Sequence, residues 1–204
     1  MNRILRVSAF FAVTLALAVG LLFAQGGQRG MLERKAWFVD GNNKISEMLY
    51  WRIYLGEYDV KLKRNVDGEG QINVSATMNF DFFSSGYIEG NGFGSKGKVN
   101  SLPGMRIRLG GGESVEIKIN DIDYIYDYGT KVVTKDGRRG DFMIGAEGGS
   151  LLEIKRFQLS EYRMVKGSFG EMELKEASDR MPIVALAFSK EAAAKAAKEP
   201  VSNY

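Results

Sequence analysis

The chain has no cysteine and no histidine, and only 3 prolines. Without histidine it lacks the usual general base near neutral pH, the commonest zinc ligand and every Ser-His or Cys-His nucleophile. Without cysteine it has no thiolate nucleophile and no zinc or iron–sulfur site built on sulfur. Disulfides are excluded too, so the core alone must hold the fold. A strong excess of one sign is also missing. Lys and Arg number 28 against 25 Asp and Glu, a formal net charge of +3. With the signs interspersed, there is no basic footprint for nucleic acid and no polybasic membrane patch.

Long apolar runs are confined to one place. Ala9 to Phe23 is unbroken and apolar, Arg3 and Arg6 precede it, and a polar Gly-rich segment follows Ala24. This is the layout of a secretory signal peptide, residues 1–24, cleaved after Ala24 or, as a second choice, after Gly20. An uncleaved anchor is the competing reading, although the run is short against the roughly 20 residues that span a bilayer. Loss of Arg3 and Arg6 takes the net charge from +3 to +1. An exported chain without cysteine suits a bacterial periplasm or envelope, with the outer membrane as the alternative address.

What remains is 45% hydrophobic and 26% charged, enough for a real core in one domain or two small ones. The 25 glycines point to many turns between short strands. The clearest period-2 signal is Gln71 to Phe82. Ile72, Val74, Ala76, Met78, Phe80 and Phe82 share one face, and polar residues share the other. Tyr54 to Lys63 also alternates, with Tyr54, Tyr58, Val60 and Leu62 expected on one face. Lys44 to Tyr50 is open between helix and strand. Ser84 to Gly112 reads as loop-rich, with a short strand at Met105–Leu109, and Tyr87, Ile88 and Phe93 expected to pack.

The stretch Gly111 to Tyr128 recurs in weaker form from Gly148 and from Gly167. Each copy has a glycine turn and then Glu116-Ile117-Lys118, Glu153-Ile154-Lys155 or Glu173-Leu174-Lys175. These read as repeated β units of one sheet or small barrel. The parity of the apolar residues switches after Asn120-Asp121, which predicts a bulge or turn. Lys131–Thr134 and Lys135–Arg138 read as strand and hairpin turn, and Ile183–Phe188 as a buried closing strand. Ser189 caps a short alanine-rich helix that ends before Pro200. With only alanines to bury, it is expected to be an exposed, fraying spacer. The expected organisation is an N-terminal β-hairpin region (25–110), a β-repeat region (111–188) packed with it, and a helical tail (189–204). The fold class is mainly β, an antiparallel sandwich or small barrel of roughly eight to ten strands.

No motif specifies chemistry. Asp121, Asp123 and Asp127 are spaced like a calcium loop, but Tyr126 and Val132 stand where that loop needs glycine and glutamate. Gly90–Gly94 and Gly110–Gly112 lack the context of a phosphate loop. Arg139-Gly140-Asp141 spells an adhesive tripeptide within a natural turn. Trp37, Trp51, Tyr54 and Tyr58 could form a stacking platform for sugar or nucleic acid, against the plainer reading as strand core and edge. Lys195 and Lys198 on the tail are candidate contacts. The expectation is a non-enzymatic envelope protein of structural or binding type, without cofactor, metal or small-molecule substrate. Its partners would be other envelope proteins or a second copy of itself. The runner-up is a small outer-membrane β-barrel, and an exported hydrolase with two opposed acids is third.

Overall fold

The computed structural model describes residues 34–66, 70–146, 149–155, 157–167, 172–176 and 180–202. The expected leader lies outside them, as do residues 67–69, and 168–171 of the third repeat copy. Met31–Tyr204 forms one compact unit.

The chain opens with a hairpin of β1 (Ala36–Val39) and β2 (Ile45–Met48). Asp40 turns it by accepting from the Asn42 and Lys44 amides at 2.8 and 2.9 Å. A long hairpin of β3 (Trp51–Val66) and β4 (Gly70–Phe83) follows, extended by β5 (Ile88–Gly94) and β6 (Gly97–Ser101). Six strands come next: β7 (Gly104–Arg108), β8 (Ser114–Ile117), β9 (Ile122–Tyr126), β10 (Lys131–Thr134), β11 (Arg139–Gly145) and β12 (Leu151–Glu153). Then come β13 (Gln158–Lys166), β14 (Met172–Glu176), β15 (Met181–Pro182), β16 (Ala185–Ala187) and helix α1 (Lys190–Ala196).

These make two curled antiparallel sheets and one short helix, as expected for a mainly β fold. Sheet A runs β2-β1-β16-β9-β10-β11-β7-β8, with β12 also on β11; sheet B runs β14-β13-β3-β4-β5-β6, with β15 also on β13. The sixteen strands among the described residues exceed the expected eight to ten because several are only two to four residues long. The sheets disregard the expected boundary at residue 110. β16 pairs with β1 on one side and β9 on the other, and β13 pairs with β3. The three Glu-Ile/Leu-Lys copies do not repeat within one sheet either. Those at β8 and β12 are in sheet A and that at β14 is in sheet B. What the first two share is local: a buried Ile117 or Ile154 beside an exposed Glu116 or Glu153.

The core lies between the sheets. Trp51, Met78, Phe80 and Phe82 of sheet B and Ile107, Phe142, Ile144 and Leu186 of sheet A are almost wholly buried together. Phe82 meets Phe142 at 6.5 Å and Trp51 meets Phe38 at 5.7 Å between ring centres, both across the two sheets. Each such side chain contributes about 1.5–3 kcal/mol. The alternation of β4 holds as read, with Val74, Ala76, Met78, Phe80 and Phe82 inward. In β3 it breaks. The pairing register slips between Tyr54 and Gly56, and Gly56 adopts φ +120°. One extra residue flips the strand, so Tyr54 faces outward while Tyr58 faces the core.

Ser84–Gly112 is not mainly loop, since β5, β6 and β7 lie within it. Three of its glycines, Gly90, Gly92 and Gly94, are strand residues close against β4. Gly90 and Gly92 pair with Phe80 and Met78, and a Cβ on Gly90 would stand 2.5 Å from the Phe80 ring. The missing side chains leave room for those of β4.

The tail also departs from expectation. Ala192, Ala193 and Ala196 of α1 are at most 1% exposed, packed on Val39, Tyr124, Val133, Ala185 and Ala187 of sheet A's outward face. Alanine buries little, but the floor beneath it, Ala185 and Ala187, is equally small and lets the helix settle closely.

Candidate functional site

The eight residues singled out from sequence do not converge. Trp37 is half-buried beside α1 on the outward face of sheet A. Trp51 lies in the core, edge-on to Phe82 at 5.3 Å, and its indole N–H donates to the Arg34 carbonyl at 2.8 Å. Tyr54 is on the outward face of sheet B, where its hydroxyl donates to Asn79 Oδ1 at 3.0 Å and the Arg180 guanidinium lies 4.4 Å from its ring centre. Tyr58 is buried, its hydroxyl shared between the Leu55 and Glu153 carbonyls at 2.9 Å each and accepting from the Lys155 amide at 3.1 Å. Burial pushes its pKa up. The four rings are thus dispersed over three surfaces, and no stacking platform exists among them.

Arg139 and Asp141 belong to β11, not to the tip of a turn, and both are engaged. Arg139 binds Glu199 at 2.9 Å and the Tyr124 hydroxyl at 3.1 Å. Asp141 receives Lys131 at 2.6 Å and Arg108 at 2.8 Å, and Arg108 also reaches Glu153 at 2.7 Å. Burial opposes ionisation of Asp141, but the two cations win and hold its pKa below the usual carboxylate range. An adhesive tripeptide must offer both charges outward; this one spends them on its own sheet. Lys195 pairs with Asp123 at 3.1 Å, and Lys198 is exposed. The Arg108–Lys131–Asp141–Glu153 group lines a cleft of about 260 Å³. It holds two cations against two acids, so it offers no net field to a charged ligand.

The surface that does stand out is the β5–β6 end of sheet B. Phe93 and Leu102 are 73% and 71% exposed, while every other exposed large apolar side chain among the described residues is at 42% or less. They mark the two ends of the β5–β6 hairpin, one beside its turn and one just past β6. Within the described residues β6 pairs only with β5 and so borders sheet B. Gly97, Lys98 and Asn100 of that strand are exposed, while Val99 and Ser101 point inward. Two shallow clefts flank it. One, of about 310 Å³, is lined by Asp59, Lys61, Thr77, Phe93 and Ser95 among others. The other, of about 350 Å³, is lined by Glu89, Asn100, Ser101 and Leu102. The floor between is polar and cross-braced. Thr77 donates to Asp59 at 2.6 Å and Asn91 to Glu89 at 3.1 Å. Among the described residues the buried Ser101 hydroxyl beside Leu102 has no hydrogen-bond partner.

Sequence reading missed this surface, expecting Phe93 to pack with Tyr87 and Ile88. Ile88 is 1% exposed and does pack, and Tyr87 lies against Phe83 at 5.6 Å. The signal was there in the glycines. Gly90, Gly92 and Gly94 occupy one parity, which leaves Glu89, Asn91 and Phe93 on the other, the parity of polar residues. Among the described residues no three acids are grouped to hold a metal ion. No family model matches the chain, and neither a curated protein nor a solved structure is similar to it.

Proposed function

We propose that the chain is an exported, non-enzymatic protein of the cell envelope, periplasmic in address, that acts by binding other proteins. The observation that carries the reading is the pair of bare apolar side chains, Phe93 and Leu102, at the two ends of the β5–β6 hairpin that borders sheet B. Large apolar side chains left bare at the border of a sheet supply binding energy to a partner laid against it. Phe93 alone, on covering, contributes about 2 kcal/mol. The apolar run Ala9–Phe23 behind Arg3 and Arg6 supports export.

The alternative, a small outer-membrane barrel, needs an apolar belt facing outward. The outward residues of the two longest strands argue for the first reading instead: Asp59, Lys61 and Lys63 on β3, and Asn73, Ser75 and Thr77 on β4, are exposed and polar. The apolar parity of β4 is used up by Trp51, Tyr58 and Phe142 inside the molecule. No described helix is long and apolar enough to cross a membrane, which bears on helices only.

The test is photo-crosslinking of the full chain in a bacterial host, with benzoylphenylalanine placed at Phe93, at Leu102, or at the outward Lys63 as control. Export predicts a processed mass in the envelope fraction. Contact through the hairpin predicts discrete adducts from positions 93 and 102 and none from 63. An unprocessed cytoplasmic chain, or equal adducts from all three positions, overturns the reading.

A further inference from the structure

The outward face of sheet A carries a covered apolar patch, and the cover is the end of the chain. β16, the strand from which the cover departs, is already paired on both sides by β1 and β9. The sheet therefore does not depend on residues 189–202 for its hydrogen bonds. What holds those residues is a short series of contacts. Ser189 Oγ accepts from the Ala192 amide at 3.0 Å and caps α1. Three alanines touch the sheet. Lys195 pairs with Asp123 at 3.1 Å. Past the helix, Glu199 takes both Arg139, at 2.9 and 3.1 Å, and the Tyr124 hydroxyl, at 2.5 Å. Finally the Asp127 carboxylate receives the Ser202 amide at 2.7 Å and its hydroxyl at 2.8 Å.

We propose that residues 189–202 form a strap that detaches as a unit while both sheets stay folded, and that two carboxylates, Glu199 and Asp127, are its latches. The geometry makes detachment local. A helix of seven residues has no stability of its own in water, where roughly 12–15 are marginal. Its buried side chains are single methyl groups, so the apolar part of the grip is weak. The polar latches supply direction and most of the remaining hold. Release uncovers Val39, Tyr124, Val133, Ala185 and Ala187, with Trp37 and Tyr126 at the margin. That is an apolar strip on a face otherwise laced with ion pairs.

Acid should open the strap. Glu199 is faced by Arg139 from β11 and Tyr124 from β9; Asp127 by Ser202, by Thr130 of its own turn and by Lys131 of β10. The Arg139 bond chiefly holds the Glu199 carboxyl below its ordinary pKa. Burial opposes ionisation of Asp127, but the Ser202 and Thr130 hydrogen bonds lower it. Both groups therefore hold the strap when ionised, and the hold is lost as pH falls through their folded values. The third acid that faces the tail, Asp123, loses its Lys195 partner on release as well.

Hydrogen exchange on the full chain tests this, with peptides covering 189–202 and β4 read together. In the native protein at pH 7 the tail is expected to exchange at least a hundredfold faster than β4 after correction for intrinsic rates. Combined D127N and E199Q should speed the tail at least tenfold further and leave β4 unchanged. The same variant should bind an apolar dye at pH 7, with its β circular dichroism intact, where the native chain binds it only in acid, as pH falls through the lowered folded values of the two latches. If tail and β4 exchange with equal protection in both proteins, or if dye binding rises only as the β signal falls, the tail is part of the cooperative fold and the strap is overturned.

Discussion

The two sheets treat their outward faces in opposite ways. Along β3 and β4 of sheet B the outward parity is Glu57, Asp59, Lys61 and Asn73, Ser75, Thr77, and it stands bare to solvent. On sheet A the outward parity of β1, β9, β10 and β16 turns apolar at Val39, Tyr124, Val133, Ala185 and Ala187, and the chain's own end lies across it. A sheet face that alternates cleanly needs no cover; one whose outer parity is apolar must find one. The β5–β6 hairpin is the place where sheet B breaks its own rule, with Phe93 outward and uncovered. The fold has supplied a lid for one apolar patch and none for the other, which is why the second is the better candidate for a partner.

The largest effect expected on this comparison comes from Gly92→Ala. A Cβ there would stand 2.0 Å from the Thr77 carbonyl oxygen, which is backbone of the neighbouring strand. No rotamer relieves that contact, so β5 must part from β4. The expected loss is about 3 kcal/mol or more in urea unfolding. Gly111→Ala, in an open turn of sheet A with nothing within 4 Å, should stay within about 0.5 kcal/mol. Equal costs at the two sites would mean that β5 is not locked to β4, and that the exposure of Phe93 does not follow from the register.

Arg52→Ala comes next. Asp81 is 4% exposed, is held by Arg52 at 2.7 Å, and already has one oxygen, Oδ1, without a partner. Burying the remaining charge unpaired is the dominant cost. Since the Arg52 side chain is 31% exposed, the loss should be about 1–3 kcal/mol, below that of a fully buried pair. Arg52→Met with Asp81→Asn should recover most of it. A single variant as stable as the double one would show that the pair is solvated and sheet B's outward face looser than its geometry suggests.

How much of this was legible in the sequence depends on how far each feature reaches along the chain. The β4 strand was plain because its six apolar residues alternate without a break. The slip at Leu55–Gly56 was not, because a bulge adds one residue and leaves apolar residues on both parities. The β5–β6 strands were hidden by their glycines: the side chains that fill the share of the core left by Gly90 and Gly92 belong to Phe80 and Met78 on the preceding strand β4. Which sheet received each Glu-Ile/Leu-Lys copy depended on long-range pairing, such as β13 with β3, that no local pattern encodes. The docking of α1 was illegible for a different reason. Three alanines look unable to hold a helix until the equally small Ala185 and Ala187 are seen beneath them. Of the candidate surface, neither Phe93 nor Leu102 was picked out, and the eight residues that were are scattered: Trp51 and Tyr58 lie in the core, Arg139, Asp141 and Lys195 are paired within the molecule, and Trp37, Tyr54 and Lys198 lie apart on outward faces.

Ala193→Asp separates the covered face from the core. Ala193 is fully buried, so a charge there should be as costly as one in the interior if the tail belonged to the cooperative fold. If residues 189–202 detach as a strap, the chain escapes by releasing them, and the loss is capped at the strap's own grip, about 1–2 kcal/mol. Urea melts would show a small shift in midpoint with the main transition intact. A loss above about 4 kcal/mol would place the helix within the core unit instead.

The smallest effect is the pH dependence, and it sharpens the same contrast because three of the depressed carboxylates, Asp127, Asp141 and Glu199, lie on sheet A's outward side. Each has a folded pKa below its ordinary value. Each therefore contributes stability that is fully present above its unfolded pKa and is lost as pH falls through the lower folded one. Asp127 and Glu199 act on the strap, whereas Asp141 ties β11 to β7 and β10 through Arg108 and Lys131. Lowering the pH from 7 to 3 should thus cost about 1 kcal/mol per latch in tail protection. Asp127→Asn and Glu199→Gln should flatten that part of the profile, while Asp141→Asn should flatten global stability and leave tail protection sloping. A tail profile that stays equally steep in the double latch variant would assign the acid sensitivity to sheet A as a whole, with the strap merely following it.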